Sequence, residues 1–419
     1  MKLKNKAILA ILISLTVAGW SKILHAKPLT DIHAAQTQQT PTLSAAQRMA
    51  NSKLVAANTR LSFKLFSQIL KQQPDDNVFI SPMSIALALA MTYNGAQGET
   101  QQAMAKTLEL QGMSLEDINQ ANAALRDTLN QLDSQVQLSL ANSLWARKGE
   151  PFNPGFIAKN QTFYGAQITD LDFNDSNASA VINDWIEQST QGKINQIVNR
   201  NDITPSSILF LINAIYFKGN WSSKFDQNYT KEQPFTLLDG TQKQIPMMFQ
   251  QNQYQYYQED LFQAVSLPYG QGRLSLYIFL PREGVSLKTF YRNLNAENWE
   301  RWMRLFQPEQ LRLGLPRFQL DYGLELNSIL KSLGMAIAFD ETRADFTGMT
   351  PRQAYITKVQ HHAFFEVNEQ GSEAAGGTSV HMAVRGASPQ FIVNRPFFCA
   401  IRDNQTQAIL FMGSIVEPQ

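Results

Sequence analysis

A single cysteine, Cys399, occurs among the 419 residues. One cysteine excludes a disulfide scaffold, a zinc ribbon and a CxxC redox centre. Cys399 sits in the apolar run FFCAI, where it reads as a small buried hydrophobe. Charge is scarce as well, at 17% of residues, against roughly 25% in an average soluble domain. The 36 basic and 35 acidic residues leave a net charge of +1. No global field therefore draws the chain to nucleic acid or to an anionic surface. Histidine is sparse too: His25 and His33 lie near the N-terminus, leaving His361, His362 and His381. No G-x-S-x-G elbow, HExxH helix, Walker loop or dinucleotide fingerprint is present, and Gly270-Gln-Gly272 reads as a turn. These absences argue against an enzyme and against any metal or cofactor. Composition alone still permits a serine hydrolase, because triads are assembled by geometry. What the chain does have is apolar content, 44%, with polarity carried largely by Gln and Asn. That is the balance of a folded core, not of a disordered chain.

Lys2, Lys4 and Lys6 precede an apolar run over residues 7–18, and Ser21-Lys-Ile-Leu-His-Ala26 follows. The run is too short to span a bilayer, so residues 1–26 read as a signal peptide cleaved at Ala26, with an uncleaved anchor as the alternative. The expected location is a periplasm or the extracellular space. Residues 27–50, rich in Thr, Gln and Ala, read as a flexible spacer, and residues 51–419 as one domain.

Within that domain helical and strand patterns mix without a βαβ rhythm. Leu61, Leu65, Phe66 and Ile69 recur at helical spacing until Lys71-Gln-Gln-Pro, and Ser81-Pro82 opens a second helix. ILFLINAIYFKGNW, RLSLYIFLP and AFFEVNE read as strands, and the tyrosines of QNQYQYYQ fit a half-exposed strand. The expected class is α+β with large antiparallel sheets, one of them wide enough to serve a single large core.

The segment from Glu369 to Gly386 combines two opposed properties. Gly371, Ser372, Glu373, Ala374, Ala375, Gly376 and Gly377 are mostly small, as a hinge would be. Yet the residues alternate strictly. Ser372, Ala374, Gly376, Thr378, Val380, Met382 and Val384 form a small or apolar face, while Glu373, His381 and Arg385 fall on the other. Such segregation is what a strand buried on one face requires. An ordinary edge strand after a Gly-rich turn is one reading; a loop able to become a strand is the other.

Here a family resemblance enters. NVFISPMSIALALAMTYNGAQGET, INDWIEQSTQGKI, LINAIYFKGNW, IPMM, ADFTGM, KVQHHAFFEVNEQGSEAAG and FIVNRPFFCAIRDNQTQAILFMGSIVEP occur in the order found in serpins. The resemblance covers nearly all of the mature chain. It implies a metastable fold of three β-sheets and eight or nine helices, with a reactive-centre loop, about residues 369–390, exposed at one pole. In the family a target protease attacks this loop, its serine forms an ester with the loop, and the freed segment inserts into the main sheet. Counted from Glu369 as in the family's inhibitory loops, the cleaved bond falls at Arg385-Gly386, which suits a trypsin-like protease. Met382-Ala383 is the alternative bond, for a chymotrypsin- or elastase-like protease. Fifteen residues of inserted strand would span about 50 Å.

By the same resemblance Ser81, Ser84, Asn213 and His361 match a polar cluster beneath the main sheet, and Trp185 and Trp221 match two core tryptophans. His362 is expected to be exposed and functionless. The segment SLEDINQANAALRDTLNQ carries one arginine, Arg126, so no polyanion activator is expected. The reading is a secreted, monomeric inhibitor of bacterial origin, on the leader type, absent disulfides and Gln/Asn usage. A non-inhibitory serpin-fold binding protein or chaperone is the runner-up, disfavoured by the small-residue hinge.

Overall fold

The computed structural model describes residues 44–204, 207–372 and 389–419. The leader, residues 27–43 of the spacer, hinge residues Glu373 to Gly377, Met382, Arg385 and Gly386 lie outside them.

Helix α1 (Ala45–Gln72) begins with a capping box: the Ser44 hydroxyl accepts from the Gln47 backbone and the Gln47 side chain accepts from Ser44 N–H. Residues 45–50, expected in the flexible spacer, are therefore helical, because this reciprocal cap satisfies donors that would otherwise fray. Leu54, Ala57, Leu61, Leu65 and Ile69 form the buried stripe of α1. Helix α2 (Pro82–Tyr93) carries proline in its first turn and is capped by Ser81. The remaining helices are α3 (Gly98–Thr107), α4 (Leu115–Leu129), α5 (Pro154–Tyr164), α6 (Ala178–Ser189), α7 (Leu287–Tyr291), α8 (Ala296–Met303) and α9 (Asn327–Leu330).

The first strands are β1 (Val78–Ile80), β2 (Val136–Arg147), β3 (Gln167–Leu171), β4 (Leu209–Asn220) and β5 (Lys231–Thr236). Next come β6 (Gln242–Gln258), β7 (Phe262–Tyr269), β8 (Leu274–Pro281), β9 (Gln307–Pro316) and β10 (Phe318–Glu325). Last are β11 (Gln360–Val367), β12 (Gly371–Ser372), β13 (Gln390–Ile392), β14 (Phe397–Asp403) and β15 (Ile409–Ile415).

One sheet runs β10-β11-β4-β2-β3, with β12 added on β4. The other strands form a continuous path, β1-β15-β14-β8-β7-β6-β9-β13, with β5 also on β6. Its two halves join only where Gln255 to Gln258 of β6 pair with Gln263 to Ser266 of β7. Counted at that narrow junction, there are three sheets, as expected for this α+β fold.

The main sheet separates two apolar layers. On its inner face Phe365 stacks on Phe79 at 4.5 Å between ring centroids, and Ile215 and Phe217 join the large core. On its outer face Trp145, Ile212, Ile182 and Ile186 pack in a smaller cluster beneath α6. Side chains of β4 therefore point alternately into the two layers, as strand geometry demands. Cys399 is fully buried, and burial holds its thiol far above the usual range, so it is inert packing.

Candidate functional site: the hinge and the gap in the main sheet

Strands β4 and β11 run parallel and meet through one residue pair, Ala363 with Ile215. Their neighbours are paired along full lengths, β2 with β4 and β10 with β11. The middle of the main sheet is thus its weakest seam. Backbone donors and acceptors facing such a seam are unsatisfied by the ladder, which favours a strand that would fill it.

At one end of the seam the chain leaves β11, turns between Asn368 and Gly371, and starts β12 antiparallel to β4. Gly371 pairs with Asn220 and Ser372 with Gly219. Gly371 adopts φ +144°, and an added Cβ would lie 2.0 Å from the Gly219 carbonyl oxygen. Only glycine fits there.

The turn is held by its surroundings. Trp221 is buried and stacks on Tyr269 at 4.4 Å. Its indole N–H donates to the Asn368 carbonyl at 2.8 Å, and its backbone N–H donates to Gln370 O at 2.9 Å. Glu369 is 3% exposed. Its carboxylate accepts from Thr230 Oγ1 at 2.8 Å and lies 4.0 Å from Arg317 Nη1. Phe225 N–H donates to the Glu369 carbonyl. A buried carboxylate with these partners anchors the start of the hinge in place.

Lower in the seam, Ser81, Ser84 and His361 come together. Ser81 N–H donates to His361 Nε2 at 3.0 Å, and Ser81 Oγ donates to the Leu410 carbonyl at 2.7 Å. Ser84 N–H donates to Ser81 Oγ at 3.2 Å, while the Ser84 hydroxyl is buried without a partner among the described residues. His361 is buried, and burial with His362 next to it pushes its pKa down to about 3. The ring is therefore neutral, with Nε2 as acceptor and the proton on Nδ1. Asn213 lies in β4 opposite Asn142 of β2. Sequence reasoning could not have measured this proximity, since Ser81 and His361 are 280 positions apart.

Two expectations need correction. Trp185 is half-buried, not core: its indole N–H donates to Gln167 Oε1 at 2.8 Å and its ring meets Trp145 edge-on. It lies on the open side of α6, over the edge strand β3, where one end of an indole can stay wet. His362 is not free at the surface; its side chain is 20% exposed and pairs with Asp321 of β10, the adjacent strand.

Sequence reasoning also missed a staple across the seam. Asn183 of α6 holds the segment after that helix, accepting from Ile197 and Val198 N–H at 3.0 Å each. That segment then reaches the start of β11. Lys358 Nζ contacts Asp202 Oδ1 at 2.6 Å, and the Gln360 amide, turned to suit its neighbours, accepts from Lys358 and donates to the Ile197 carbonyl. The lysine beside Asp202 holds its carboxyl below the usual range despite partial burial.

A wide sheet, a nearly unpaired central seam and a glycine hinge starting to fill it coincide with the match to known proteins. The family model described as serpin (serine protease inhibitor) matches residues 56–418. This chain belongs to the serpin family. This serpin is 36% identical to Serpin B6 of Pongo abelii over 378 residues, covering 87% of this chain and 99% of that protein. It is 35% identical to the human leukocyte elastase inhibitor, covering 87% and 100%. Human thyroxine-binding globulin in complex with thyroxine superposes with a TM-score of 0.82 at 28% identity, covering 88% and 100%. The thermophilic serpin tengpin in its native state gives 0.79 at 29% identity, covering 90% and 95%. Serpins act as pseudo-substrates that insert a loop into the main sheet, and this serpin is accordingly not an enzyme.

Proposed function

We propose that this serpin traps a trypsin-like, arginine-directed serine protease by cleavage at Arg385-Gly386 and insertion of the freed segment between β4 and β11. The observation that carries the reading is the register of β12. Continued along β4 one partner at a time, it sets Ala374 against Phe217, Gly376 against Ile215 and Thr378 against Asn213. Met382 then meets Leu209, where β4 starts. Continued from the Asn368–Gly371 turn along β11, the same segment sets Gly376 against Ala363 and Thr378 against His361. Ile215 and Ala363 are the residues through which β4 and β11 touch. Both registers thus converge on Gly376, which carries no side chain into that contact.

The faces agree as well. Ile215 and Phe217 point into the large core, so Ser372, Ala374, Gly376, Thr378, Val380 and Met382 would follow them. This is the small, apolar set of the alternating sequence. Glu373 would fall outward between Lys218 and Glu366. In that register Arg385 would fall beyond Leu209, the first residue of β4, and could carry the ester.

The chemistry follows from that placement. The protease serine attacks the Arg385 carbonyl carbon, the C–N bond to Gly386 breaks, and the amine leaves with a proton. Insertion then draws the tethered protease along, and distortion of its oxyanion hole stalls hydrolysis of the ester. Arg385→Leu is expected to abolish trapping of trypsin and confer trapping of a chymotrypsin-like enzyme. Unchanged trypsin trapping by that variant would put the bond elsewhere, with Met382 next to be tested.

The likeness to thyroxine-binding globulin favours one other reading, a non-inhibitory carrier. Heat decides between them: loop cleavage followed by insertion raises thermal stability sharply, whereas cleavage without insertion leaves it unchanged. A secreted monomer of bacterial origin is the setting we infer from the leader and composition. Intact mass of the exported chain and its sedimentation test processing at Ala26 and the monomer.

A further inference from the structure

We propose that the cleft between α1 and α7 binds a single-chain fatty carboxylate. The cleft has a volume of about 670 Å³, within the usual span of small-ligand sites. Its walls include Phe63, Phe66 and Leu70 of α1 and Leu287 and Leu294 on and after α7. Leu238, on the hairpin between β5 and β6, also lines it and is 47% exposed. Phe63, Phe66, Leu287 and Leu294 are at most 8% exposed, so an acyl chain would rest on their outer edges and cover chiefly half-buried Leu70 and exposed Leu238.

The rim is charged, and mainly positive. Lys71, Lys288 and Arg292 line the cleft, against a single carboxylate, Asp75. None of the three cations has an ion-pair partner among the described residues. The neighbouring cleft offers the contrast. There Arg60 and Lys64 also line the wall, but both are engaged by Glu109. Helix α1 itself carries Arg48, Lys53, Arg60, Lys64 and Lys71 and no acidic residue, in a chain whose net charge is only +1. An apolar cavity under an unneutralised cationic rim matches a ligand with an apolar tail and one anionic head. A polyanion would meet the cations but leave the apolar wall uncovered. A neutral hydrocarbon would do the reverse.

The test is calorimetric titration of the purified full-length chain with acetate, octanoate and decanoate, each kept monomeric. One site is expected, with affinity rising about fourfold per added methylene from octanoate to decanoate. The exposed triple substitution Lys71→Glu, Lys288→Glu, Arg292→Glu should weaken decanoate at least tenfold while leaving the melting temperature near that of the parent. Ser67→Trp, at an exposed position on the cleft wall, should fill the space and abolish binding. Absence of decanoate binding, acetate binding as tightly as decanoate, 1-decanol matching decanoate, or full binding by Ser67→Trp would each overturn the proposal.

Discussion

Gly371 packs directly on the backbone of Gly219: a Cβ on Gly371 would lie 2.0 Å from the Gly219 carbonyl oxygen. With φ at +144°, the position excludes side chains twice over, by contact and by conformation. Gly371→Ala is expected to destabilise the native state by about 1–3 kcal/mol. It should also detach β12, so that more of the serpin is cleaved per protease molecule trapped. Melting temperature and stoichiometry with trypsin check both; unchanged stoichiometry would mean that β12 does not prime insertion.

Ser372→Arg separates cleavage from trapping. The backbone of Ser372 pairs with Gly219, and an added Cβ at Gly219 would lie 2.8 Å from Phe217 and 2.9 Å from Tyr269. An arginine drawn into the sheet beside that crowded glycine would overpack it, at a cost of about 1–3 kcal/mol or more. The variant should be cut at Arg385 as fast as the parent yet form no denaturation-stable complex. A gel showing normal complex would refute the hinge argument.

His361 should not titrate near neutrality. Its folded pKa is held at about 3, below the ordinary value near 6.5. The unfolded chain therefore binds a proton that the folded chain refuses between those two values. Stability falls as pH drops through that window, by up to about 1.4 kcal/mol per pH unit from this group, and is unaffected above it. The ring C–H resonances of His361 should stay fixed from pH 8 to pH 5. A midpoint near 6.5 would mean that the ring is solvated. His361→Ala should cost about 1–3 kcal/mol, because it leaves the buried Ser81 N–H without an acceptor.

Lys358→Ala should loosen the seam. It removes the partner of Asp202, which is 12% exposed, and unties the segment after α6 from the start of β11. Losing a charge-assisted bond of this kind costs about 1.5–3 kcal/mol. A strand entering between β4 and β11 must displace that segment, so insertion should be faster at a lower melting temperature. Stopped-flow fluorescence of a label in the loop reads the rate; slower insertion would contradict the staple.

The parts legible in the sequence were those whose signal is local. β4, β8 and β11 follow from apolar or alternating runs, and α2 from Ser81-Pro82. The alternation after Gly371 marks the same face that the β12 register would bury if it were continued along β4. Other features depend on residues far apart in the chain. Ser81 and His361 meet only because β1 and β11 flank the same core, and family likeness, not pattern, pointed to them. Asp202 and Lys358 carry no signal in the sequence, since nothing near either one predicts the other. The start of α1 is not legible in composition, because an Ala- and Gln-rich stretch also suits a spacer. The Ser44–Gln47 cap decides for helix. The family likeness sets Trp185 in the core, whereas here it closes the side of a helix at a sheet edge.

The central claim is that the segment after β12 is cut at Arg385-Gly386 and becomes a strand of the main sheet. The most direct measurement mixes the purified protein with trypsin and follows it by denaturing gel with intact-mass analysis. The account predicts a covalent complex that survives denaturation, together with a released peptide beginning at Gly386. Complete cleavage at Arg385 with no complex, and no gain in thermal stability, would contradict it.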